Sequence, residues 1–549
     1  MKKYILLILL ILSLLKIFSA VPDTLYILHT TDIHGNLLPY DYYEDKEVPR
    51  GLAKIYTKVC EYRKKYKNVI LLDSGDLIQG NALTYYYNRI DRINPHPMIL
   101  AFNYMKYDAF AVGNHEIEQG FHTYMRTMKE SNFPWLSANS VLPDGTTFFK
   151  PYHIIEKNGL KIGIVGASTP GIQIYLEPDL YPGMDWQDLV VTAKKYADEL
   201  QPEVDLLIGL FHSGFDVNDG LEVNESLGLP VQNASELVAT QVPEYDVILA
   251  GHTHNYLPKD KYTESSWKNK IHKPKEPIRV ISGKWGRTMG VVQVIYHPKS
   301  HKIITMDSWQ ESMENVETST AIYQLVKEYH QQVLKYIRMD IGSVQFDFHG
   351  KFSRIMDTQL VELINKAQMA FTGAEISFAS CFNTAFNLSP GAIKVKDVYT
   401  MYPYENYLYK LEMMGKQIKD YLEFSASYFI YDGSKFAANP KKKGYNYDMA
   451  EGISYKIDVT KNMGNRIVNI RLISNGKLIE NDKIYTVAIN SYRALGGGGH
   501  MTAANAKNAK IISKSDVEMR NILIEYIKQI KTIPQSVDNN WKIIIRGNQ

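Results

Sequence analysis

The stretch from Leu25 to Asn36 reads LYILHTTDIHGN and decides how the first half of the chain is interpreted. Its apolar start predicts a buried strand, and Asp32 and His34 follow where that strand should end. A carboxylate and an imidazole two positions apart can point the same way, and both groups bind metal ions. Short motifs of this kind recur by chance, so a capped strand end with a solvated histidine is the alternative for this stretch alone.

The same pattern, an apolar strand followed by metal-binding residue types, recurs four times. The recurrences are Asn68–Asp76 with Asp73 and Asp76 at its end, Asp108–Glu116 with Asn114, His115 and Glu116, Val204–Phe211 before His212, and Asp246–Ala250 before His252 and His254. A further strand is predicted at Leu160–Ala167, and helical spacing is present at Gly51–Tyr66 and Pro97–Tyr107. Alternating strands and helices predict an α/β domain whose ligands collect at the carboxyl ends of the strands.

The first 20 of the 549 residues have the three-part layout of a secretory signal. Lys2 and Lys3 precede an apolar run, Ile5–Leu15, and small residues up to Ala20 suit cleavage. An uncleaved membrane anchor is the alternative, but Lys16 interrupts the run, which is too short for a stable span. The sequence therefore predicts an exported protein, periplasmic or secreted, with no stable membrane span after signal cleavage.

Charge and cysteine content exclude several other classes of protein. The signal holds three of the 62 basic residues, which leaves 59 against 59 acidic ones, so binding to duplex nucleic acid or an anionic membrane is not expected. A chain of 549 residues is too long to fold around a single hydrophobic core, so two to four domains are predicted. The two cysteines, Cys60 and Cys381, lie far apart, so a disulfide framework is excluded and metal sites must use oxygen and nitrogen.

Taken in order, the motifs D-x-H, G-D, G-N-H-E, a lone His before Ser-Gly, and G-H-T-H resemble the calcineurin-like dinuclear metallophosphatases. The resemblance implies a four-layer αββα sandwich and two divalent metal ions. It implies one ion held by Asp32, His34, Asp76 and His254, and a second held by Asp76, Asn114, His212 and His252. A carboxylate shared in this way can hold two ions roughly 3.5 to 4 Å apart, the spacing used in phosphoryl displacement. Ligands without thiolate suit Zn, Mn, Fe or Co.

His115 follows a candidate ligand directly and is not itself in the implied ligand set. We expect it to stabilise charge on the phosphoryl oxygen or to protonate the leaving alkoxide, whereas a buried histidine bonded to backbone is the alternative. Related 5′-nucleotidases carry an aspartate three positions later. This chain has Glu118 there, so an orienting carboxylate is still present but is one methylene longer. Asp73 and Glu116 are expected to support the ligands rather than to bind metal.

Residues 319–338 show one long helical pattern, and strand character resumes over Met339–Val344. The simplest interpretation is a surface helix of the first domain. The family implies a linker about which two domains can rotate. The predicted domains are a signal peptide (1–20), a metallophosphatase domain (21–318), a linker helix (319–342) and a smaller α+β nucleotide-binding domain (343–549).

The second half carries aromatic and glycine-rich stretches in place of metal ligands. Tyr402 and Tyr404 flank a proline, and Tyr492 precedes four consecutive glycines. Two rings can stack on a base, at about 1 to 3 kcal/mol per face, whereas core tyrosines beside a turn are the alternative. Both stretches resemble the base-binding aromatics of the 5′-nucleotidase C-terminal domain, with Tyr404 preferred over Tyr402. Asn383, with the neighbourhoods of Arg354 and Arg493, is expected to contact substrate.

Several segments resemble one branch of that family, the 2′,3′-cyclic-nucleotide 2′-phosphodiesterases that are also 3′-nucleotidases. The segments are T-T-D-I-H-G-N-L-L-P-Y-D-Y-Y-E-D, D-L-I-Q-G-N, N-S-Y-R-A-L-G-G-G, E-G-I-S-Y-K-I-D-V-T and D-N-N-W. The resemblance implies hydrolysis of 2′,3′-cyclic nucleotides and then of the 3′-nucleotide. A broad 5′-nucleotidase or UDP-sugar hydrolase, and a nucleotide-binding surface protein without catalysis, are the alternatives. The partner is then a small nucleotide substrate; the sequence leaves the oligomeric state open and is compatible with a monomer.

Overall fold

The computed structural model describes residues 21–221, 224–225, 228–258 and 276–545. The predicted signal segment, residues 1–20, therefore lies outside the described residues. The chain divides into two compact units, one up to Val333 and one from Leu334. This division falls inside the predicted linker helix, and the domain bounds given above remain predictions.

The first unit contains two six-stranded sheets. Its strands are β1 (Asp23–Thr30), β2 (Tyr40–Asp41), β3 (Lys46–Glu47), β4 (Asn68–Asp73), β5 (Ala109–Ala111), β6 (Trp135–Leu136), β7 (Ser140–Val141), β8 (Tyr152–Lys157), β9 (Leu160–Ser168), β10 (Asp185–Trp186), β11 (Leu206–His212), β12 (Val247–Ala250), β13 (Tyr256–Leu257), β14 (Ile278–Ser282), β15 (Thr288–Tyr296) and β16 (Ile303–Ser312). One sheet has the order β16-β15-β1-β4-β5-β6 and the other β13-β14-β12-β11-β9-β8.

The helices of the first unit connect these strands. They are α1 (Leu52–Lys65), α2 (Ala82–Tyr85), α3 (Pro97–Met105), α4 (Asn114–Glu118), α5 (Phe121–Glu130), α6 (Ile172–Tyr175), α7 (Leu189–Leu200), α8 (Ser235–Gln241) and α9 (Thr320–Ile337), and the last of these crosses into the second unit. Helix α3 ends two residues earlier than predicted because Lys106 takes a left-handed conformation, with φ 56°, that stops the helix. The other predicted strands and helices lie within two or three residues of the observed ones, and the long helix predicted over 319–338 is α9.

The core of the first unit lies between the two sheets. Alternate residues of a strand face opposite sides, so Leu25 and Ile27 on β1 and Ile208 and Leu210 on β11 turn the same way into one fully buried cluster. The opposite face of the second sheet packs against α7 and α8. Helix α1 buries its apolar side next to β4. The layers are therefore helix, sheet, sheet and helix, and the predicted αββα class is confirmed.

Parallel pairing fixes the position of the site. Strands β1, β4, β5 and β6 run parallel to one another, and so do β9, β11, β12 and β14. Their carboxyl ends therefore emerge at one edge of each sheet. Loops at such an edge are the usual place for ligand-binding residues in α/β proteins.

The second unit is a smaller α+β assembly, as predicted. Its strands are β17 (Asp340–Val344), β18 (Phe348–His349), β19 (Ile376–Ser380), β20 (Asn387–Leu388), β21 (Gly391–Lys394), β22 (Tyr407–Met414), β23 (Phe429–Tyr431), β24 (Phe436–Ala438), β25 (Asp448–Glu451), β26 (Ile453–Asp458), β27 (Ile467–Leu472), β28 (Ile484–Asn490), β29 (Ile511–Glu518) and β30 (Trp541–Ile544). Its helices are α10 (Gln359–Thr372), α11 (Val395–Met401), α12 (Gly415–Ser425), α13 (Ser491–Ala494), α14 (His500–Ala503) and α15 (Met519–Ile530).

A mixed five-stranded sheet, β25-β19-β28-β22-β29, forms the centre of this unit, and a three-stranded sheet, β27-β26-β30, lies in the same unit. Cys381 is buried here, whereas Cys60 is exposed on α1, and both thiols are free. Within the described ranges, no helix combines the length and the apolar character needed to cross a bilayer.

Candidate metal centre

The seven side chains expected to bind metal all follow strand ends of the two sheets. Asp32 and His34 follow β1, Asp76 follows β4, Asn114 begins α4 after β5, His212 ends β11, and His252 and His254 follow β12. The first four come from one sheet and the last three from the other. The structure brings all seven together, although the sequence separates them by up to 222 positions, from 32 to 254.

One group of donor atoms surrounds a point next to His34. Its Nε2 atom lies 3.0 Å from Nε2 of His254, 3.8 Å from Oδ1 of Asp32 and 3.9 Å from Oδ2 of Asp76. Nε2 of His254 lies 3.4 Å from Oδ1 of Asp32. Four donors from both sheets therefore converge on a single small volume.

A second group of donor atoms includes the same Asp76 oxygen. Nε2 of His212 lies 3.1 Å from Oδ2 of Asp76 and 3.1 Å from Oδ1 of Asn114. Nδ1 of His252 lies 3.0 Å from that Asn114 oxygen. Asp76 Oδ2 is thus common to both groups, which is the arrangement that a bridging carboxylate requires.

The outer ring nitrogens orient two of these imidazoles. Nδ1 of His34 lies 3.1 Å from the carbonyl of Gln79, and Nδ1 of His212 lies 2.6 Å from the carbonyl of Ser74. A carbonyl accepts, so each Nδ1 carries the proton and each Nε2 turns a lone pair towards the donor group. Lone pairs and carboxylate oxygens that face one another need a cation between them. The donor set therefore fits two divalent ions of the Zn, Mn, Fe or Co type.

Burial keeps two of the imidazoles in the metal-binding form. It lowers the pKa of His34 to about 4 and that of His252 to about 3, so both rings are neutral at pH 7. Burial alone would raise the pKa of the Asp76 carboxyl, but His212, His115 and His34 outweigh it and hold that pKa well below its usual range. Asp76 is therefore an ionised oxygen donor.

Five of the seven candidate ligands have left-handed backbone. The φ angles are 51° at Asp32, 48° at His34, 60° at Asp76, 74° at His252 and 58° at His254. Residues other than glycine adopt this region rarely, and such residues cluster at functional sites. The left-handed turns direct these side chains back over the sheet edge. No pattern in the sequence indicated this feature.

Two family matches cover this site and most of the second unit. Residues 25–256 match the calcineurin-like phosphoesterases, and residues 340–506 match the 5′-nucleotidase C-terminal domain. Residues 25–256 therefore form a calcineurin-like phosphoesterase domain. The chain joins this domain to a 5′-nucleotidase C-terminal domain, as the sequence motifs indicated, and calcineurin-like phosphoesterases are metal-dependent phosphoric ester hydrolases.

Several relatives match almost the whole length of the chain. The chain is 30% identical over 96% of its length to the trifunctional nucleotide phosphoesterase protein YfkN of Bacillus subtilis (strain 168), but spans 39% of that protein. It is 26% identical, over 95% of its length and 88% of the relative, to a 2′,3′-cyclic-nucleotide 2′-phosphodiesterase/3′-nucleotidase of Haemophilus influenzae. The crystal structure of a 5′-nucleotidase precursor from Thermus thermophilus shares the fold, with a TM-score of 0.62 at 22% identity over 96% of this chain and 100% of that chain.

His115 lies at the edge of the phosphoesterase centre. Its side chain is 29% exposed, its Nε2 lies 3.9 Å from Oδ2 of Asp76, and its Nδ1 lies 2.5 Å from Oε2 of Glu118. Burial lowers the pKa of this imidazole, but the carboxylates of Asp76 and Glu118 outweigh it and raise the pKa to about 10. The longer Glu118 side chain therefore reaches His115.

Glu116 supports the loop that carries Asp76. Its two carboxylate oxygens accept hydrogen bonds from the backbone N–H groups of Gly113, Asp76, Leu77 and Ile78, at 2.7 to 3.1 Å. Asp73 accepts from the Thr30 hydroxyl at 2.6 Å and from the Gly75 N–H at 2.8 Å. Both side chains hold turns, in line with the supporting role expected for them.

The sequence analysis missed a cationic group beside the centre. Nζ of Lys284 lies 3.3 Å from Nδ1 of His254, and the backbone N–H of Trp285 donates to the carbonyl of Asp32 at 2.8 Å. Arg50, Lys284 and Arg287 all lie over the Trp285 ring, within 4.8 Å of its centroid. The available signal was the position of Ser-Gly-Lys-Trp directly at the carboxyl end of β14.

The tyrosines of the 5′-nucleotidase-type unit differ in exposure. Tyr404 and Tyr492 are each 46% exposed. Burial, and then the phenols of Tyr445 and Tyr492, raise the pKa of Tyr404. Tyr402 is 1% exposed, and its hydroxyl accepts a hydrogen bond from Asn406 at 3.2 Å. Tyr404 is therefore the residue of the 402/404 pair whose ring is available to a ligand.

The two polar residues expected to contact substrate have partners within the protein. Asn383 donates to the carbonyl of Thr400 and accepts from the N–H of Ala385, both at 3.0 Å. Arg493 is 2% exposed and forms a two-pronged ion pair with Asp448, at 2.8 and 3.0 Å. The Arg493 guanidinium itself is therefore buried in the fold, and the expectation that substrate contacts come from its neighbourhood stays a prediction.

Proposed function

We propose that the chain is an exported phosphohydrolase that converts 2′,3′-cyclic nucleotides to 3′-nucleotides and then to nucleoside and phosphate. The observation that carries the proposal is the convergence of seven ligand-type side chains, from both sheets, around the shared Asp76 oxygen. Relatives named as nucleotide phosphoesterases support hydrolysis of a nucleotide phosphate. The relative of 26% identity supports the pair of activities, since its name gives both.

In this proposal, Asp32, His34, Asp76 and His254 would hold one divalent ion, and Asp76, Asn114, His212 and His252 would hold the other. When bound, such a pair of ions supplies charge neutralisation at the phosphoryl oxygens and lowers the pKa of water. The buried Asp76 carboxylate keeps the two positions together.

His115 would act on the leaving oxygen. Its Nδ1 is occupied by Glu118, so Nε2 is the nitrogen that faces the centre. With Nε2 protonated, the imidazolium can donate to an ester oxygen as the bond to phosphorus breaks. Glu118 would hold the ring orientation and stabilise its positive charge, as the neighbouring carboxylate does in other catalytic histidine pairs.

The second unit would recognise the nucleoside. Tyr404 and Tyr492 offer exposed rings on which a base can stack, and Gly496, Gly498 and Gly499 follow Tyr492 with left-handed φ angles. Asn383 would also contact the substrate. Its side chain makes two hydrogen bonds to backbone groups, which leaves one amide hydrogen and one oxygen lone pair for a ligand.

The decisive experiment compares purified protein on 2′,3′-cyclic AMP, 3′-AMP, 5′-AMP and UDP-glucose at equal concentration. We expect turnover of the first two and a lower kcat/KM on 5′-AMP and UDP-glucose. A preference for 5′-AMP or UDP-glucose would replace the proposal with a broad 5′-nucleotidase or UDP-sugar hydrolase. Binding without turnover of any of them would indicate a non-catalytic nucleotide-binding protein. Export is tested separately, by sequencing the amino terminus of the mature protein, which should begin at Val21.

A further inference from the structure

Four carboxylates cluster in the second unit, and no step of the proposed reaction uses them. Asp357 precedes α10, Glu362 lies in the first turn of α10, Glu451 ends β25, and Asp538 precedes β30. One oxygen each of Asp357, Glu362 and Asp538 lies within 4.8 Å of the other two. Burial, and then the neighbouring carboxyl group of Asp538, raise the pKa of Glu451. Three separate chain segments therefore bring their negative charges to one place.

The cluster contains a buried oxygen that the protein leaves without a partner. Asp357 is 6% exposed, and its Oδ2 atom accepts no hydrogen bond from the residues that the structure describes. Lys366 pairs with Glu362, whose Oε2 also accepts from the N–H of Asp538 at 3.3 Å. One ammonium group cannot balance four carboxylates. An unpaired buried carboxylate oxygen is destabilising unless a proton or a cation reaches it.

The spacing of the oxygens fits a metal ion. Oxygens that bind a common Ca²⁺ at roughly 2.4 Å cannot lie more than about 4.8 Å apart, and the three oxygens satisfy this limit. The cluster offers oxygen donors alone, which select hard cations, and Ca²⁺ accepts carboxylates in variable geometry whereas Mg²⁺ keeps most of its water. Burial, and then Glu362 and Asp538, raise the pKa of Asp357 to about 7. The raised pKa reflects the same excess of negative charge.

We propose that Asp357, Glu362 and Asp538, with Glu451 behind Asp538, form a Ca²⁺ site. The ion would join the segment before β30 to the first turn of α10. Its role is structural, because it fixes the carboxyl-terminal segment that leads into β30, and β30 pairs with β26. The site shares no residue with the phosphoesterase centre. Its donors are oxygens alone, and it would bind Ca²⁺ rather than a Zn-type ion.

The test uses the full chain after addition of two equivalents of Zn²⁺, which favours the nitrogen-containing centre. Ca²⁺ is then titrated by calorimetry, and the melting temperature is measured with Ca²⁺ and with EDTA. We expect one Ca²⁺ per chain, and a melting temperature higher by about 5 to 10 °C at one hundred times the Kd. Asp357→Asn should weaken Ca²⁺ binding at least about tenfold and remove this rise.

The matched control is Asp347→Asn, an exposed acidic residue of the same unit, which should keep both properties. In EDTA, Asp357→Asn should melt at or above the wild-type temperature, because it removes one buried like charge. Asp538→Asn changes an exposed residue, and it tests the site independently if Asp357→Asn fails to fold. Equal Ca²⁺ affinity in the wild type and the Asp538→Asn variant, or no rise in the wild-type melting temperature, would overturn the proposal.

Discussion

At the residue scale, the neighbouring carboxylates determine the protonation state and the ring orientation of His115. Glu118 holds one nitrogen at 2.5 Å, and the other nitrogen faces Asp76. We therefore expect His115 to have a chemical role that can be separated from metal binding.

We predict that His115→Ala lowers kcat by about 10² to 10⁴ and leaves the metal content at two ions per chain, because a general acid contributes about that factor. The measurements are steady-state kinetics and elemental analysis of the same preparation. His122→Ala, an exposed histidine on α5, is the matched control and should keep full activity. A parallel loss of metal in His115→Ala would mean that His115 is a ligand.

Asp76 is the residue whose loss should affect both metal positions. We predict that Asp76→Asn lowers the content of both ions, whereas His254→Ala lowers the content of one, since Asp76 Oδ2 lies in both donor groups and His254 lies in one. Elemental analysis after dialysis against dilute Zn²⁺ checks this difference. Identical stoichiometry in the two variants would contradict a bridging role.

The exposed tyrosines allow a separate test of base recognition. We predict that Tyr404→Ala and Tyr492→Ala each raise KM about five- to one-hundredfold on nucleotides, with little change in hydrolysis of bis-p-nitrophenyl phosphate, because each removes one stacking face. Steady-state kinetics on both substrates measure the split. Tyr428→Ala, a half-buried tyrosine of the same unit, is the control. Equal losses on both substrates would show that the rings do not bind the base.

At the element scale, the loop between β4 and α2 depends on one side chain from helix α4. Glu116 receives four backbone N–H groups, three of them from consecutive residues that begin with Asp76. A glutamine has the same shape but offers one carbonyl oxygen, so its NH₂ group would face N–H donors.

We therefore predict that Glu116→Gln destabilises the first unit by about 2 to 4 kcal/mol and weakens metal binding about 10- to 100-fold. Urea unfolding and Zn²⁺ titration measure the two effects. Glu61→Gln, whose side chain is 56% exposed on α1, should change neither. Unchanged metal affinity in Glu116→Gln would show that the loop keeps its shape without the carboxylate.

Sequence reasoning succeeded for elements with strong periodicity. It failed where contacts between distant parts of the chain determine the burial of a side chain or the shape of a loop. The strands before Asp32, Asp76 and His212 were predicted, because their apolar runs end in polar residues whatever their partners are. The burial of Arg493 on α13 was not predicted, since its partner Asp448 lies on a distant strand, β25, and no local pattern connects the two. Left-handed backbone at the ligands likewise depends on loops that the two sheets hold in place.

At the scale of the whole molecule, each of the two units has its own core and its own buried charged group. The first unit carries the candidate metal centre. The second carries the Arg493–Asp448 ion pair, to which Tyr421 adds a hydroxyl hydrogen bond at 2.6 Å. We therefore expect metal removal to change the melting temperature of the first unit, and low pH to change that of the second.

Asp448 links the stability of the second unit to pH. Burial raises the pKa of its carboxyl, but Arg493 outweighs burial and holds the pKa well below its usual range. A lowered folded-state pKa stabilises the protein fully above the unfolded value, near 4, and this contribution is lost as the pH falls further. We predict that Arg493→Ala destabilises the second unit by about 3 to 5 kcal/mol at pH 7 and flattens its acid dependence.

Scanning calorimetry from pH 7 to pH 3 checks this prediction. EDTA should lower the melting of the first unit, and Arg493→Ala should lower that of the second. The exposed Arg471→Ala is the matched control. A single transition that Arg493→Ala leaves unchanged would contradict the assignment.

Five candidate ligands have left-handed backbone: Asp32, His34, Asp76, His252 and His254. At these positions the residue needed to bind metal is not the residue that best fits the backbone angle. Glycine adopts such angles without a steric penalty, so substituting it would relax the loops while removing a ligand. In a descendant of this protein that is released from selection for catalysis and no longer carries metal, such inactivating mutations would therefore raise heat resistance. In such a lineage, the first ligands to disappear should be replaced by glycine.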